Sequence, residues 1–312
     1  MDEGNSARNK IVRLDDHIFR LGPLGSPRVL SSYLIVDDKV AVIDCGPSSV
    51  KNELIELIKE VGISSDEIDY LLLTHIHIDH AGGTASFLRH FSHARAMIPE
   101  KGYKHMLDPA ILNASSLAII GEKIFRHWGA CEPVPPHLAS SVAPFTKIDL
   151  GHSEIQYIPA PGHAPHHHIL KLEPLSILFA ADSMGIMDNE NNALIPTTPP
   201  PSFDFEKAIQ DITAVEQLAP KLACIAHFQE LEPSSSLFGR IKIIYEKWLA
   251  RTNELVRQKS INGYDLNVCE ELFAILVKDF PEYSRISGDL REQAIRIDCA
   301  GMLNYSLRRP RV

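Results

Sequence analysis

The chain has 312 residues, of which 45% are hydrophobic and 23% are charged, the proportions of a folded globular protein with a substantial core. Its formal net charge of −9 argues against a broad nucleic-acid-binding surface, which would need a basic field. Five scattered cysteines without a C-x-x-C pair argue against a disulfide framework, and a polar start without long apolar runs argues against a signal peptide or membrane span and favours the cytoplasm.

The first half of the chain alternates short strands with helices. Strands are predicted over residues 17–21, 32–36, 40–43, 70–73 and 94–99, and helices over 49–61, 81–90 and 100–128, the last broken at Asp108-Pro109. The sequence Thr74-His75-Ile76-His77-Ile78-Asp79-His80 directly follows the buried strand 70–73. The histidine cluster is therefore predicted at the end of a strand, where functional side chains have rigid support.

The second half repeats this alternation. Short strands are predicted within 148–173 and over 176–181 and 222–226, and a helix over 203–218. Asp182 and His227 each come just after a strand, whereas His163 interrupts the strands in a Pro-Gly-His-Ala-Pro segment. Two sheets packed face to face, with helices outside, would fit this pattern.

The chain end is helical only. Amphipathic patterns over residues 237–258, 268–279 and 289–308 predict three helices. We therefore predict a first domain over residues 1–233 and a C-terminal helical domain over residues 234–312. The helical domain could cover the rim of a functional site, form a homodimer contact or simply cover apolar surface.

The strongest chemical signal is the H-x-H-x-D-H motif at residues 75–80. Imidazoles and carboxylates are ligands for zinc, iron and manganese. Residues two apart in an extended segment project to one side, so His75 and His77 can bind one ion while Asp79 and His80 turn to a second. Chance would produce such a motif on the order of once in several hundred chains of this histidine content. Isolated histidines carry no such signal.

The motif, extended to Thr74-His75-Ile76-His77-Ile78-Asp79-His80-Ala81-Gly82-Gly83, resembles the signature of the metallo-β-lactamase superfamily. The later elements follow in the order of that family: Pro161-Gly162-His163 is similar to its P-G-H element, Phe179-Ala180-Ala181-Asp182 to its F-x-G-D strand, and Ala226-His227-Phe228 to its closing histidine. The resemblance covers about residues 11–230. It implies an α/β fold, the αββα sandwich of two mixed β-sheets flanked by helices, here with a C-terminal α-helical appendage.

The resemblance also implies a dinuclear site. His75, His77 and His163 would hold the first divalent ion, Asp79, His80 and His227 the second, and Asp182 would bridge them. Asp44 would support a ligand histidine from behind, unless it is a plain turn residue. Zinc is the expected metal, with iron or manganese as alternatives. His166, His167 and His168 are left out of the ligand set, although His167 matches a second histidine in relatives.

A hydroxide between the two ions is the expected nucleophile, with Asp79 or Asp182 as the catalytic group that moves the proton. The bridging carboxylate resembles glyoxalase II, the lactonases and metal-dependent nucleases more than the true β-lactamases. Gly185 stands where lactonases often carry a tyrosine, and residues 182–192 lack the glycine- and arginine-containing loop of glyoxalase II. The expected reaction is hydrolysis of a small-molecule ester, thioester or lactone, such as an acyl-homoserine lactone.

Three other functions are open. One is phosphodiester or nucleic-acid hydrolysis, although the acidic charge does not favour a nucleic-acid partner. Another is a sulfur dioxygenase with a single iron, and a third is a binding module without catalysis. The expected partner is a small-molecule substrate, with no membrane association.

Overall fold

The computed structural model describes residues 10–25, 30–188, 193–227, 230–259, 261, 266–285 and 289–309. Two compact units divide the chain: Met1–Pro159, His166–Ala181 and Leu222–Glu230 form the first, and Ala160–Pro165, Asp182–Lys221 and Leu231–Val312 form the second. The second unit thus combines the C-terminal helices with two earlier segments. The expected polar start over residues 1–9, the segment 189–192 and Phe228 lie outside the described residues, and the boundary at residue 233 stays a prediction.

The first sheet of the first unit follows chain order. Its seven strands are β1 (Ile11–Asp15), β2 (Ile18–Leu24), β3 (Leu30–Ile35), β4 (Val40–Ile43), β5 (Ile68–Leu72), β6 (Arg95–Pro99) and β7 (Ala139–Val142). Neighbours from β1 to β4 are antiparallel, and those from β4 to β7 are parallel. This change matches the chain, because hairpins join antiparallel strands and longer crossovers join parallel ones.

The second sheet has the order β15-β14-β11-β10-β9-β8. The later strands of the chain are β8 (Lys147–Asp149), β9 (Glu154–Pro159), β10 (His168–Glu173), β11 (Ile177–Ala181), β12 (Ile186–Asp188), β13 (Ala193–Ile195), β14 (Leu222–Ile225) and β15 (Glu230–Leu231). β8 to β11 pair antiparallel, and β11 pairs parallel with β14. Both sheets are therefore mixed. β12 and β13 form a separate hairpin in the second unit.

The helices of the first unit agree with the sequence pattern. They are α1 (Lys51–Val61), α2 (Ile78–Ala81), α3 (Thr84–His90), α4 (Glu100–Leu107) and α5 (Ala110–Trp128). α1 ends where predicted, because Gly62 adopts the left-handed conformation with φ 100° that a C-terminal glycine permits. The break predicted at Asp108-Pro109 separates α4 from α5.

The first unit has two apolar clusters, one on each face of its first sheet. One joins the two sheets and includes Tyr33, Ile43 and Leu72 from the first and Tyr157 and Phe179 from the second. The other joins the first sheet to its helices and includes Leu54 and Ile58 of α1. Both clusters bury side chains that alternate in direction along the strands. The packing holds the strand ends before Asp44 and Thr74 in place.

The second unit contains α6 (Phe205–Leu218), α7 (Ser235–Gln258), α8 (Leu266–Asp279) and α9 (Asp289–Arg308). Asp204 and Ser234 cap α6 and α7 by accepting hydrogen bonds from backbone N–H groups of the first turn, as their residue types favour. Aromatic side chains are buried among these helices, Trp248 and Tyr245 of α7 in particular. Among the described residues, none of the helices has the length and apolar character of a membrane span.

Candidate metal centre

A buried carboxylate stands behind the histidine cluster. Asp44 directly follows β4, and its Oδ2 atom lies 2.9 Å from Nδ1 of His80. Its Oδ1 atom accepts a 2.9 Å hydrogen bond from the backbone N–H of Thr74. Since a carboxylate oxygen accepts here, the proton of His80 lies on Nδ1 and Nε2 is left as the donor atom for a metal. The expected contact between Asp44 and a histidine of the cluster is present.

The same carboxylate also acts on His75 through Thr74. The Thr74 hydroxyl donates to Asp44 Oδ2 at 2.7 Å and lies 3.0 Å from Nδ1 of His75. With that hydroxyl accepting from His75 Nδ1, Nε2 of His75 points to the metal side, where it lies 3.1 Å from Nδ1 of His77. Thr74 was not assigned a role from the sequence. Its only signal there is its position immediately before the motif.

Three side chains of the first unit converge from two strand ends. Asp79 Oδ2 lies 3.8 Å from Nε2 of His80 and 3.7 Å from Nε2 of His227. The ligand atoms of these three residues all lie within 4.8 Å of one another. Asp79 and His80 belong to the short helix α2, and His227 follows β14. The three residues expected to hold the second ion are therefore brought together.

Two histidines outside the predicted ligand set also lie against the cluster. The His166 ring stacks on that of His75 with centroids 6.0 Å apart, and it meets the His77 ring edge-on at 5.3 Å. The His167 ring lies 4.9 Å from that of His75 and is fully buried. These rings give His75 an aromatic wall. The sequence showed their number but not which of them face the cluster.

The second unit contributes its own pair. His163 Nε2 lies 3.3 Å from Asp182 Oδ2, and both side chains are buried. The Nδ1 atom of His163 lies 3.2 Å from the backbone carbonyl oxygen of Thr197. A carbonyl can only accept, so this contact again places the proton on Nδ1 and leaves Nε2 as the metal donor. His163 and Asp182, predicted as ligands, are thus neighbours within their unit.

The chain reaches Asp182 through a strained turn. Ala181 has φ 45°, a left-handed conformation that costs a residue with a Cβ roughly 1–2 kcal/mol. The pairing of β11 with β14 is irregular at this point, between Phe179 and Ala181. Ala181 stands where the F-x-G-D strand of the resemblance has glycine, which adopts this conformation freely. The backbone geometry is therefore kept although the glycine is not.

Gly162, which precedes His163, is fixed by α6. Its backbone N–H donates to Asp211 Oδ2 at 2.6 Å, and a Cβ at this position would lie 2.3 Å from Cα of Ala208. Only glycine allows this approach of the loop to the helix. Burial raises the pKa of Asp211 from 3.8 to about 7, more than the Gly162 hydrogen bond lowers it.

Asp211 gives the second unit a pH-dependent stability. Because its pKa is higher in the folded than in the unfolded chain, its contribution is fully present below pH 4 and is lost as the pH rises to 7. Asp211→Asn removes the ionisation and keeps an oxygen that can accept from Gly162. We expect the free energy of unfolding of the variant, taken relative to that of the parent, to increase by about 2 kcal/mol from pH 5 to pH 8. Urea unfolding of both proteins at the two pH values measures this gain, and an equal difference at both values contradicts it.

The donor set fits divalent metal ions. Imidazole nitrogens and a carboxylate oxygen form the trio of Asp79, His80 and His227 in the first unit, in which His80 is buried and the other two are partly buried. Such mixed nitrogen and oxygen donors suit zinc, iron or manganese. Hydrogen bonds from behind fix His75, His80 and His163 so that Nε2 is available, an arrangement typical of ligand histidines.

Comparison with known proteins agrees with these features. The model of the metallo-beta-lactamase superfamily matches residues 25–227. A metallo-beta-lactamase fold-containing protein of Sulfurisphaera tokodaii is 29% identical over 216 residues, which cover 68% of this chain and 77% of that protein. An N-acyl homoserine lactonase of Bacillus thuringiensis is 24% identical over 198 residues, covering 60% and 67%. A crystal structure of an archaeal superfamily protein from Sulfolobus tokodaii has a TM-score of 0.66 and 21% identity, covering 93% and 98%.

The chain belongs to the metallo-beta-lactamase superfamily. It is a metal-dependent hydrolase, the class that family membership and the hydrolase-named relatives define. The predicted αββα sandwich of two mixed β-sheets, followed by C-terminal helices, is confirmed. The lactonase-like or glyoxalase II-like branch, the cytoplasmic location and the homodimer stay predictions.

Proposed function

We propose that this hydrolase uses two divalent metal ions, zinc foremost, to cleave small-molecule esters, thioesters or lactones. The observation that carries the proposal is the convergence of Asp79, His80 and His227, with Asp44 fixing His80 from behind. A mononuclear site built from His75, His77 and His163 would not need this second group of ligands. The named activity of the Bacillus thuringiensis relative, N-acyl homoserine lactone hydrolysis, supports a carbonyl substrate.

The proposed ligand sets follow the family pattern. His75, His77 and His163 would hold one ion, Asp79, His80 and His227 would hold the other, and Asp182 would be shared. Bound there, the ions would lower the pKa of a ligated water so that hydroxide would be available near neutral pH. Side chains would accept the proton and orient the ligands. Asp79 or Asp182 would accept the proton, and Asp44 and Thr74 would keep His80 and His75 in the ligating tautomer.

Position 185 restricts how a lactone or ester substrate could bind. Gly185 stands where lactonases often carry a tyrosine, and a Cβ there would lie 2.6 Å from the backbone oxygen of Ile195. Gly185 also has φ 79°, which disfavours any side chain. A tyrosine therefore does not fit at this position, so a lactone or ester would have to bind without a phenol from residue 185.

Elemental analysis combined with a substrate panel tests the proposal. Purified protein is expected to hold two metal ions per chain and to hydrolyse at least one member of a panel of lactones, thioesters and aryl esters. Bis(p-nitrophenyl) phosphate serves as the phosphodiester arm. A single iron per chain would instead support oxygen chemistry, and turnover confined to the phosphodiester would support the phosphodiesterase alternative. Either result overturns the proposed reaction.

A further inference from the structure

Thr197 lies in the proline-rich segment after β13 and contacts both proposed ligands of the second unit. Its backbone carbonyl oxygen lies 3.2 Å from Nδ1 of His163. Its hydroxyl donates to the backbone carbonyl of Asp182 in a short hydrogen bond. The residue is buried, so water does not compete for these bonds. One residue thereby fixes the ring of His163 and the backbone of Asp182.

The C-terminal helices hold Thr197 in turn. Its backbone N–H donates to the phenol oxygen of Tyr245 on α7 at 3.1 Å. The next residue, Thr198, donates its backbone N–H to Oδ1 of Asp298 on α9 and its hydroxyl to the Asp298 backbone oxygen. The segment is thus tied to two helices by side chain and backbone. Prolines on both sides, Pro196 and Pro199, restrict its backbone further.

We propose that Thr197 is a positioning residue for the metal centre, and that α7 and α9 act through it on His163 and Asp182. This inference rests on the proposed function, since it assumes that these two side chains bind metal. It assigns the C-terminal helices a task beyond covering apolar surface. Partners that orient ligand side chains typically change metal affinity by about 10- to 100-fold when they are removed.

The test compares three variants by zinc affinity, measured by competition with a chelator on metal-free protein. Thr197→Val keeps the side-chain shape and loses the hydrogen bond from the hydroxyl to Asp182. We expect the zinc dissociation constant of its weaker site to rise by about tenfold or more. Thr197→Ser restores the hydroxyl and is expected to bind zinc nearly as the parent does. Tyr245→Phe keeps the ring and Thr197 but removes the phenol oxygen that accepts from the Thr197 backbone N–H. We expect the same zinc dissociation constant to rise by about threefold or more.

A matched control is Thr252→Val. Thr252 is a fully buried threonine of α7 whose hydroxyl donates to the Trp248 carbonyl at 2.8 Å, so the change removes a comparable bond away from Thr197. Its zinc constants and the visible spectrum of its cobalt(II) form should equal those of the parent, whereas the Thr197→Val cobalt spectrum should shift. Parental zinc constants in both Thr197→Val and Tyr245→Phe overturn the inference. A parent protein without two bound ions overturns the proposed function instead.

Discussion

Replacing His77 with alanine is expected to lower kcat/KM for the best carbonyl substrate by about a thousandfold, because losing one ion removes several kcal/mol of transition-state stabilisation. His77 Nδ1 lies 3.1 Å from His75 Nε2, so the variant removes one donor of a closely spaced pair. Metal content should fall from two ions per chain to one. Steady-state kinetics and elemental analysis on the same preparation measure both effects.

His90→Ala is the control for this experiment. His90 is an exposed histidine at the end of α3, and its removal should leave turnover and metal content unchanged. Turnover in His77→Ala equal to that of the parent would show that His77 is not part of the catalytic site. Circular dichroism of His77→Ala, compared with that of His90→Ala, separates a loss of folding from the loss of a metal ligand.

Gly301→Ala is expected to destabilise the second unit by about 3 kcal/mol or more, the upper range for forcing a group into a filled space. Gly301 lies in α9, where an added Cβ would lie 1.5 Å from the backbone oxygen of Thr198. The neighbour is backbone between prolines, so it cannot turn aside as a flexible side chain would. Chemical denaturation, followed by tryptophan fluorescence of Trp248 in this unit, measures the change.

Gly239→Ala provides the matched comparison for Gly301. Gly239 is also a helical glycine of the second unit, in α7, and an added Cβ there meets nothing within 4 Å. Alanine should therefore be neutral or stabilise by up to about 1 kcal/mol, since it restricts the unfolded chain and favours the helix. Equal destabilisation in the two variants would show that the contact with Thr198 is not the cause.

The fold was largely predictable because its elements have strong periodic patterns. The apolar spacing before Gly62 predicted α1 within two residues of its observed start, and the apolar run before Asp182 predicted β11 within one residue. The H-x-H-x-D-H motif indicated Asp79 and His80 as candidate ligands of one ion, and the family resemblance added His227, which follows a strand; the structure brings these three residues together.

The supporting contacts could not be predicted in the same way. Thr197 and Tyr245 are 48 residues apart, and no periodicity links a loop residue to a helix so distant in sequence. Ala181 shows a second reason. Its side chain gives no sign of a left-handed backbone, which is imposed by the pairing around it.

Asp44 accepts from two directions, from His80 itself and from the Thr74 hydroxyl that contacts His75. In the proposed ligand sets, these histidines serve different ions. Both proposed ion sites therefore depend on the carboxyl group of Asp44. Loss of this group would disturb both ion sites together, whereas loss of a single ligand histidine would leave the other ion site intact.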